Sequence, residues 1–381
     1  MDRIYFDHEA TTPLDEDVLN KMLPYLRECY GNPDSPHGVG RSAMHEVDDA
    51  RDTVAGPIGA KPNEVYFTSG GTEADNWALI GGARAQKAKG KTRVVVSSIE
   101  HHAVLAAAEE LQKEGFSITY LPVNEGGRVA LSDIRAALSD DVGVVALMAA
   151  NNETGVLQPV REAAALAHKN GSLFFCDGVQ AAPYMPLNVR DWDVDMLSFS
   201  AHKFYGPKGC GVLYIRGGVK MERLVAGGEQ ERGLRGGTVN VPSVVGLAAA
   251  YSKNVATMYA SNEKIQSLRN LFLSEIMPLG GVTVNGDQTQ TLPSVLNVRF
   301  AGVRNEEFLL NMDLRGVCVA AGSACASASV KPSHVLTAMG LTEDEARSSV
   351  RFSFGKNNTE EEILRGAALT KEIIERLRKF S

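Results

Sequence analysis

Lys203 stands in the run Ser200-Ala201-His202-Lys203-Phe204-Tyr205-Gly206-Pro207, between two strand-like stretches at 195–199 and 211–215. A lysine fixed in such a turn can form a Schiff base if its neighbours lower its pKa or a carbonyl compound captures it. Alone it carries little weight, because most lysines are solvated charges and Ser200 with His202 would equally suit a hydrolase. The weight comes from the residues that end other strand-like runs. Ser69-Gly70-Gly71-Thr72-Glu73 follows one and opens a helix, so it offers free backbone N–H groups to a phosphate. Glu100-His101-His102, Asn151-Asn152-Glu153 and Asp177-Gly178-Val179-Gln180 follow three more. Each has a plain structural alternative: a glycine turn capped by Thr72, a surface histidine pair, an Asx turn, an N-cap aspartate. Adjacent histidines rarely reach one metal ion together, and no Cys or His at ligand spacing lies nearby, so no metal site is expected.

Taken together, the set is more specific. In an open α/β sheet, ligands bind beyond the carboxyl ends of the strands. A glycine turn, an imidazole, an amide, a carboxylate and a lysine at those ends suit pyridoxal 5′-phosphate. The lysine engages its aldehyde, Ser200, His202 and the glycine turn hold its phosphate, and Asp177 keeps its ring nitrogen protonated.

The elements that must position these residues show as alternation. β-rich runs at 64–68, 93–97, 118–121, 142–148, 172–176 and 195–199 alternate with helical runs at 72–88, 103–113, 131–138 and 160–169. That pattern predicts an α/β fold with a mostly parallel sheet. A helix is expected from Asp15 to about Tyr30, before the breaker-rich loop 31–38. Beyond Thr238 the chain reads as long helix from Pro242 to about Met277, with apolar residues near a 3.6-residue period. Short strands at 282–284, 295–300 and 350–354 follow, and a final helix opens on a capping box of Thr359 with Glu362. A domain change is placed near Thr257. Residues 14–256 form a large domain, and 1–13 with 257–381 form a smaller α+β domain.

Composition narrows the class of partner. A net charge of −7 over 381 residues argues against a general nucleic-acid binder, which needs a basic face. No window is long and apolar enough to span a bilayer, and the N-terminus enters a strand-like run with no signal or transit pattern. Five cysteines with no Cys-x-x-Cys pair point to a reducing cytoplasm rather than a disulfide framework. Cys29, Cys176, Cys210 and Cys318 lie in or beside apolar or helical runs, which reads as structural.

From the arm Ala10-Thr11-Thr12-Pro13 to Arg351-Phe352-Ser353, these segments closely resemble the NifS/IscS family of cysteine desulfurases, pyridoxal-phosphate enzymes of fold type I. The resemblance implies a seven-stranded, mostly parallel sheet flanked by helices. It makes Lys203 the Schiff-base lysine, Asp177 the partner of the ring nitrogen, Gln180 the partner of the phenolic oxygen and His101 the stacking ring. Gly71, Thr72, Ser200 and His202 would bind phosphate, with Thr238 reaching it from the other subunit of a homodimer. Asn152 and Arg351 would hold the substrate carboxylate. The small-residue run Ala321-Gly322-Ser323-Ala324-Cys325-Ala326-Ser327 matches the family's nucleophile loop. It implies that L-cysteine becomes L-alanine while Cys325 takes the sulfur as a persulfide. The sulfur would pass to an acceptor protein for iron–sulfur assembly or tRNA thiolation, with Cys325 a transient cluster ligand at most.

One departure stands out. Where the family usually reads Asp-Asn-Asn/Ala-Ala-Thr-Thr, this chain reads Asp7-His8-Glu9-Ala10-Thr11-Thr12. Two other readings compete. One is a related lyase acting on selenocysteine or cysteine sulfinate, and the other is a non-catalytic sulfur-transfer scaffold, against which the intact lysine, aspartate, histidine and cysteine argue.

Overall fold

Strands buried on both faces read as continuous apolar runs, and the large sheet is built from such strands. The computed structural model describes residues 3–322 and 332–379. The strands in chain order are β1 Ile4–Tyr5, β2 Val65–Thr68, β3 Arg93–Ser97, β4 Ser117–Leu121, β5 Val142–Ala146 and β6 Leu173–Asp177. They continue with β7 Met196–Ser200, β8 Gly211–Ile215, β9 Val282–Val284, β10 Val295–Phe300, β11 Val317–Cys318 and β12 Ser349–Ser353. Seven form one sheet in the order β2-β8-β7-β6-β5-β3-β4. Neighbours from β7 through β4 are parallel, and β8 runs antiparallel to both β7 and β2. Two reversals leave β2 pointing with β7, so the carboxyl ends of β2, β3, β5, β6 and β7 share one edge.

Side chains alternate across this sheet with period two. Phe67, Val95, Val145, Phe174 and Leu197 pack on one face, with Val47, Val54 and Ala163 from flanking helices. Tyr66, Val94, Val96, Val144 and Phe175 pack on the other, with Trp77, Val104 and Leu111. The expected 72–88 helix is interrupted. Helices Gly71–Asn76 and Gly82–Lys87 flank a wide π turn, Trp77–Gly81. The carbonyl of Glu222 approaches there, accepting from Trp77 Nε1 at 3.0 Å. A Cβ on Gly81 would lie 2.5 Å from that oxygen, so only glycine fits.

Helix Val241–Ile276 is 36 residues long. Val244, Leu247 and Tyr251 from its first half belong to a core of the large sheet. Ile265, Leu268 and Phe272 from its second half join another core with β10, β12 and the terminal helix. There β12-β10-β9 form an antiparallel sheet. The N-terminal arm joins this side: β1 pairs parallel with β11, Ile4 opposite Val317, and Asp7 bridges to Ser353. Helix Glu360–Arg378 starts on the expected capping box, Glu362 N donating to Thr359 Oγ1 at 3.2 Å and Thr359 N to Glu362 Oε2 at 3.1 Å. Among the described residues, no helix is long and apolar enough to cross a membrane.

Candidate active site

At the shared edge of the large sheet lies a pocket of about 190 Å³. Gly71 and Thr72 after β2, His101 after β3, Asn152 after β5, Asp177 and Gln180 from β6 onward, and Ser200, His202 and Lys203 from β7 onward all line it, with Arg351 from β12. Topology therefore converges residues spread over 281 sequence positions, 71 to 351. Thr238 is exposed and does not line the pocket. Cys325 lies outside the described residues. Glu9, Ala10, Asp75, Met148 and Val179 also line the pocket, and sequence reasoning had not singled them out as site residues.

Lys203 follows β7 in a single 3₁₀ turn, Ala201–Lys203. Its Nζ donates to the carbonyl oxygens of Glu9 and Ala10, the latter at 3.2 Å. Burial lowers its pKa to about 8, with the charge of Glu9 opposing the fall, so a useful fraction of the amine is uncharged near neutral pH. Burial likewise pushes His101 down to about 4, helped by Lys203, and His202 down to about 3. Both imidazoles are therefore neutral. Nδ1 of His101 accepts from Ala103 N at 3.2 Å, which puts its proton on Nε2. His202 Nδ1 meets Thr11 Oγ1 at 3.1 Å.

Three buried carboxyls divide the charge. Burial raises Asp177 to about 6 and Glu100 to about 8, and raises Asp75 as well. The Asp177 charge pushes both Asp75 and Glu100 further up, so Asp177 is the one that ionises first. It accepts from Val179 N at 2.9 Å, while Asp75 Oδ1 takes the Ser198 hydroxyl at 2.5 Å and Glu100 Oε1 takes Met148 N at 2.8 Å. Arg351, 1% exposed, donates from Nη2 to Asp7 Oδ1 and from Nη1 to Asn152 O, each at 2.8 Å. Its Nε has no partner among the described residues, nor does Gln180 Oε1.

Among the described residues, no group of three or more His, Cys, Asp or Glu side chains is placed to hold a metal ion. Of the remaining cysteines, Cys176 and Cys210 are buried and Cys318 is half-buried. Cys29 is exposed just beyond helix Glu16–Arg27, so it fills no core position.

Residues 4–365 match the Aminotransferase class-V family. The chain is 43% identical over 378 residues to "Cysteine desulfurase IscS" of Methanosarcina thermophila, covering 99% of this chain and 93% of that protein. Its structure is similar to that of a "NifS-like protein", with a TM-score of 0.93, 38% identity, and coverage of 98% and 100% of the two chains. A structure described as "SspA in complex with cysteine" is similar at a TM-score of 0.83 and 33% identity, covering 93% of this chain and all of that one. The chain belongs to the class-V aminotransferases and, within them, to the cysteine desulfurases of the NifS/IscS group.

Its cofactor is pyridoxal 5′-phosphate, and the pocket's own chemistry fits that group. Asp177 is a buried carboxyl whose ionisation a cationic ring nitrogen would favour. Gln180 carries a buried amide oxygen with no donor. A Cβ on Gly71 would stand 2.9 Å from Val179 Cγ2, so the wall beside Ser200 stays open only because that residue is glycine.

Proposed function

We propose that this protein is a cysteine desulfurase that takes L-cysteine to L-alanine and leaves the sulfur on Cys325 as a persulfide. The observation that carries the reading is the pocket itself: Lys203, Asp177, His101 and Gln180 on one sheet edge, with Arg351 brought in from β12. Pyridoxal 5′-phosphate, when bound, supplies a carbonyl that captures amino groups and a ring that withdraws electrons from the substrate. Asp177 holds the ring nitrogen, Gln180 the phenolic oxygen, and Gly71, Thr72, Ser200 and His202 the phosphate. Arg351 and Asn152 orient the substrate carboxylate. Lys203, with its pKa near 8, moves the proton at the substrate α-carbon. Neutral His101 serves the substrate thiol through Nε2.

The balance is L-cysteine plus the Cys325 thiol giving L-alanine plus the Cys325 persulfide. A sulfur–sulfur bond forms, the substrate carbon–sulfur bond breaks, and the carbon keeps the electron pair and takes up a proton. Glu153 supports this role for Cys325 from both flanks of its segment. Its Oε2 accepts from Ser333 Oγ at 2.5 Å and lies 3.0 Å from where a Cβ on Gly322 would be. Glu153 adjoins Asn152 of the pocket.

The same reading assigns Thr238 to the partner subunit's phosphate site in a homodimer, consistent with its exposure away from its own pocket. It divides the chain into 14–256 and 1–13 with 257–381, the boundary falling inside helix Val241–Ile276. The sulfur goes to a protein acceptor in iron–sulfur assembly or tRNA thiolation, in a cytoplasmic setting that suits unpaired thiols.

The test is alanine release from L-cysteine, selenocysteine and cysteine sulfinate by wild type and Cys325→Ser. Loss confined to cysteine, by about 100-fold or more on the scale of a lost nucleophile, is expected. Full retention on cysteine would overturn the persulfide step.

A further inference from the structure

The departure at His8-Glu9 has no place in the reading above, and the two side chains go different ways. The His8 ring meets Tyr5 edge-on at 5.0 Å and is close against Gly355, and it is not among the residues that line the pocket. Glu9 turns to the pocket it lines with Lys203 and Arg351. Only 1% exposed, it accepts the Ser294 hydroxyl on Oε1 at 2.5 Å, with Tyr184 nearby. Its Oε2 is buried and has no partner among the described residues. The backbone fixes its place: the carbonyl accepts from Lys203 Nζ and, at 3.2 Å, from Gln180 Nε2. The amide donates at 3.0 Å to Ser353 Oγ, two residues along β12 from Arg351.

The titratable groups around Glu9 are Lys203 and Tyr205 after β7, Tyr184 after β6, Arg351 on β12, and Asp7 and His8 on its own arm. The Arg351 guanidinium is already paired with Asp7. A substrate carboxylate arriving there with Glu9 ionised would add its charge to those of Asp7 and Glu9, both felt at Arg351, in a site too dry to screen them. With a proton on Oε2, Glu9 is neutral and its orphan oxygen becomes a donor. Burial favours that form, while the Ser294 hydrogen bond and the charges of Lys203 and Arg351 oppose it.

We propose that Glu9 is a specificity-determining residue of this pocket, admitting the α-carboxylate of cysteine to Arg351 with a proton held on Glu9 Oε2. The proposal rests on the cysteine desulfurase reading. Binding that requires this proton weakens as pH rises through the Glu9 pKa of the free enzyme, by up to about tenfold per pH unit.

The test uses the holoenzyme and 3-mercaptopropionate, which has the thiol and carboxylate of cysteine without its amine. Calorimetric titration in two buffers of different ionisation enthalpy counts the protons taken up on binding. Uptake is expected in wild type and is lost in Glu9→Gln. Ser294→Ala removes a hydrogen bond that favours the charged form, so it moves the uptake window to higher pH. Equal uptake in wild type and Glu9→Gln overturns the proposal; if Glu9→Gln does not fold, an unmoved window in Ser294→Ala overturns it. The measurement needs no turnover. A protein that shows Glu9-dependent uptake yet releases no alanine from cysteine refutes the desulfurase reading and leaves the proton-linked carboxylate site standing.

Discussion

Arg351 Nη2 and Asp7 Oδ1 form a 2.8 Å ion pair although 344 positions separate the two residues. The pair fixes a guanidinium at the pocket wall with one edge already used and Nε left without an acceptor among the described residues. A guanidinium held in this way offers the planar donor set that the proposed carboxylate site requires.

Arg351→Lys keeps the charge and loses the planar fork. One charge-assisted hydrogen bond contributes about 1.5–3 kcal/mol, so KM for L-cysteine should rise about 10–100-fold with a smaller change in kcat. Steady-state kinetics check this, and an unchanged KM would remove Arg351 from the carboxylate site.

The uncharged amine of Lys203 is the form that captures an aldehyde, and burial lowers its pKa to about 8. Capture of pyridoxal 5′-phosphate by the apo-protein should therefore quicken about tenfold per pH unit up to about pH 8 and then level off. Stopped-flow absorbance follows the visible band as it forms, and Lys203→Ala should form none. A rate flat between about pH 6 and 9 would contradict the enclosed-lysine account.

Arg51 and Glu231 form a bidentate pair at 2.8 Å, both side chains nearly closed off from solvent, and Glu231 also accepts from Phe67 N at 3.1 Å. Removing one partner of a buried pair strands the other, at a cost of about 3–5 kcal/mol. Glu231→Ala should lose that much in chemical denaturation. Arg84→Ala, which breaks a half-exposed pair with Glu114, should lose about 1 kcal/mol or less.

The legible part of the site was the part that follows strands. Asp177, Asn152, His101 and Lys203 each stand just past a β-rich run, so local pattern alone put them at one sheet edge. What stayed hidden depends on chain segments meeting across long separations. Asp75 occupies a helical position that would ordinarily face water, and burial, reinforced by the Asp177 charge, favours its protonated form against the opposing Ser198 hydrogen bond. The 72–88 helix showed no sign of its π turn, because the cause is the carbonyl of Glu222. Nor did the sequence distinguish His8 from Glu9: beside the bridge from Asp7 to Ser353, Glu9 lines the pocket while His8 packs against Tyr5 and Gly355.

That bridge also sets an order of events at the ribosome. The arm emerges first, yet its partners on β11 and β12 follow by more than three hundred residues. Until they arrive, the carbonyls of Glu9 and Ala10 are held over Lys203 by the arm's contacts with the large domain, Gln180 Nε2 to Glu9 O and Thr12 to His202 O, without the strand pairing that anchors the arm beyond them. The large sheet can assemble during synthesis, but the pocket that shelters its lysine is completed only once β11 and β12 have been made. Full enclosure of the lysine therefore waits for Arg351 on β12.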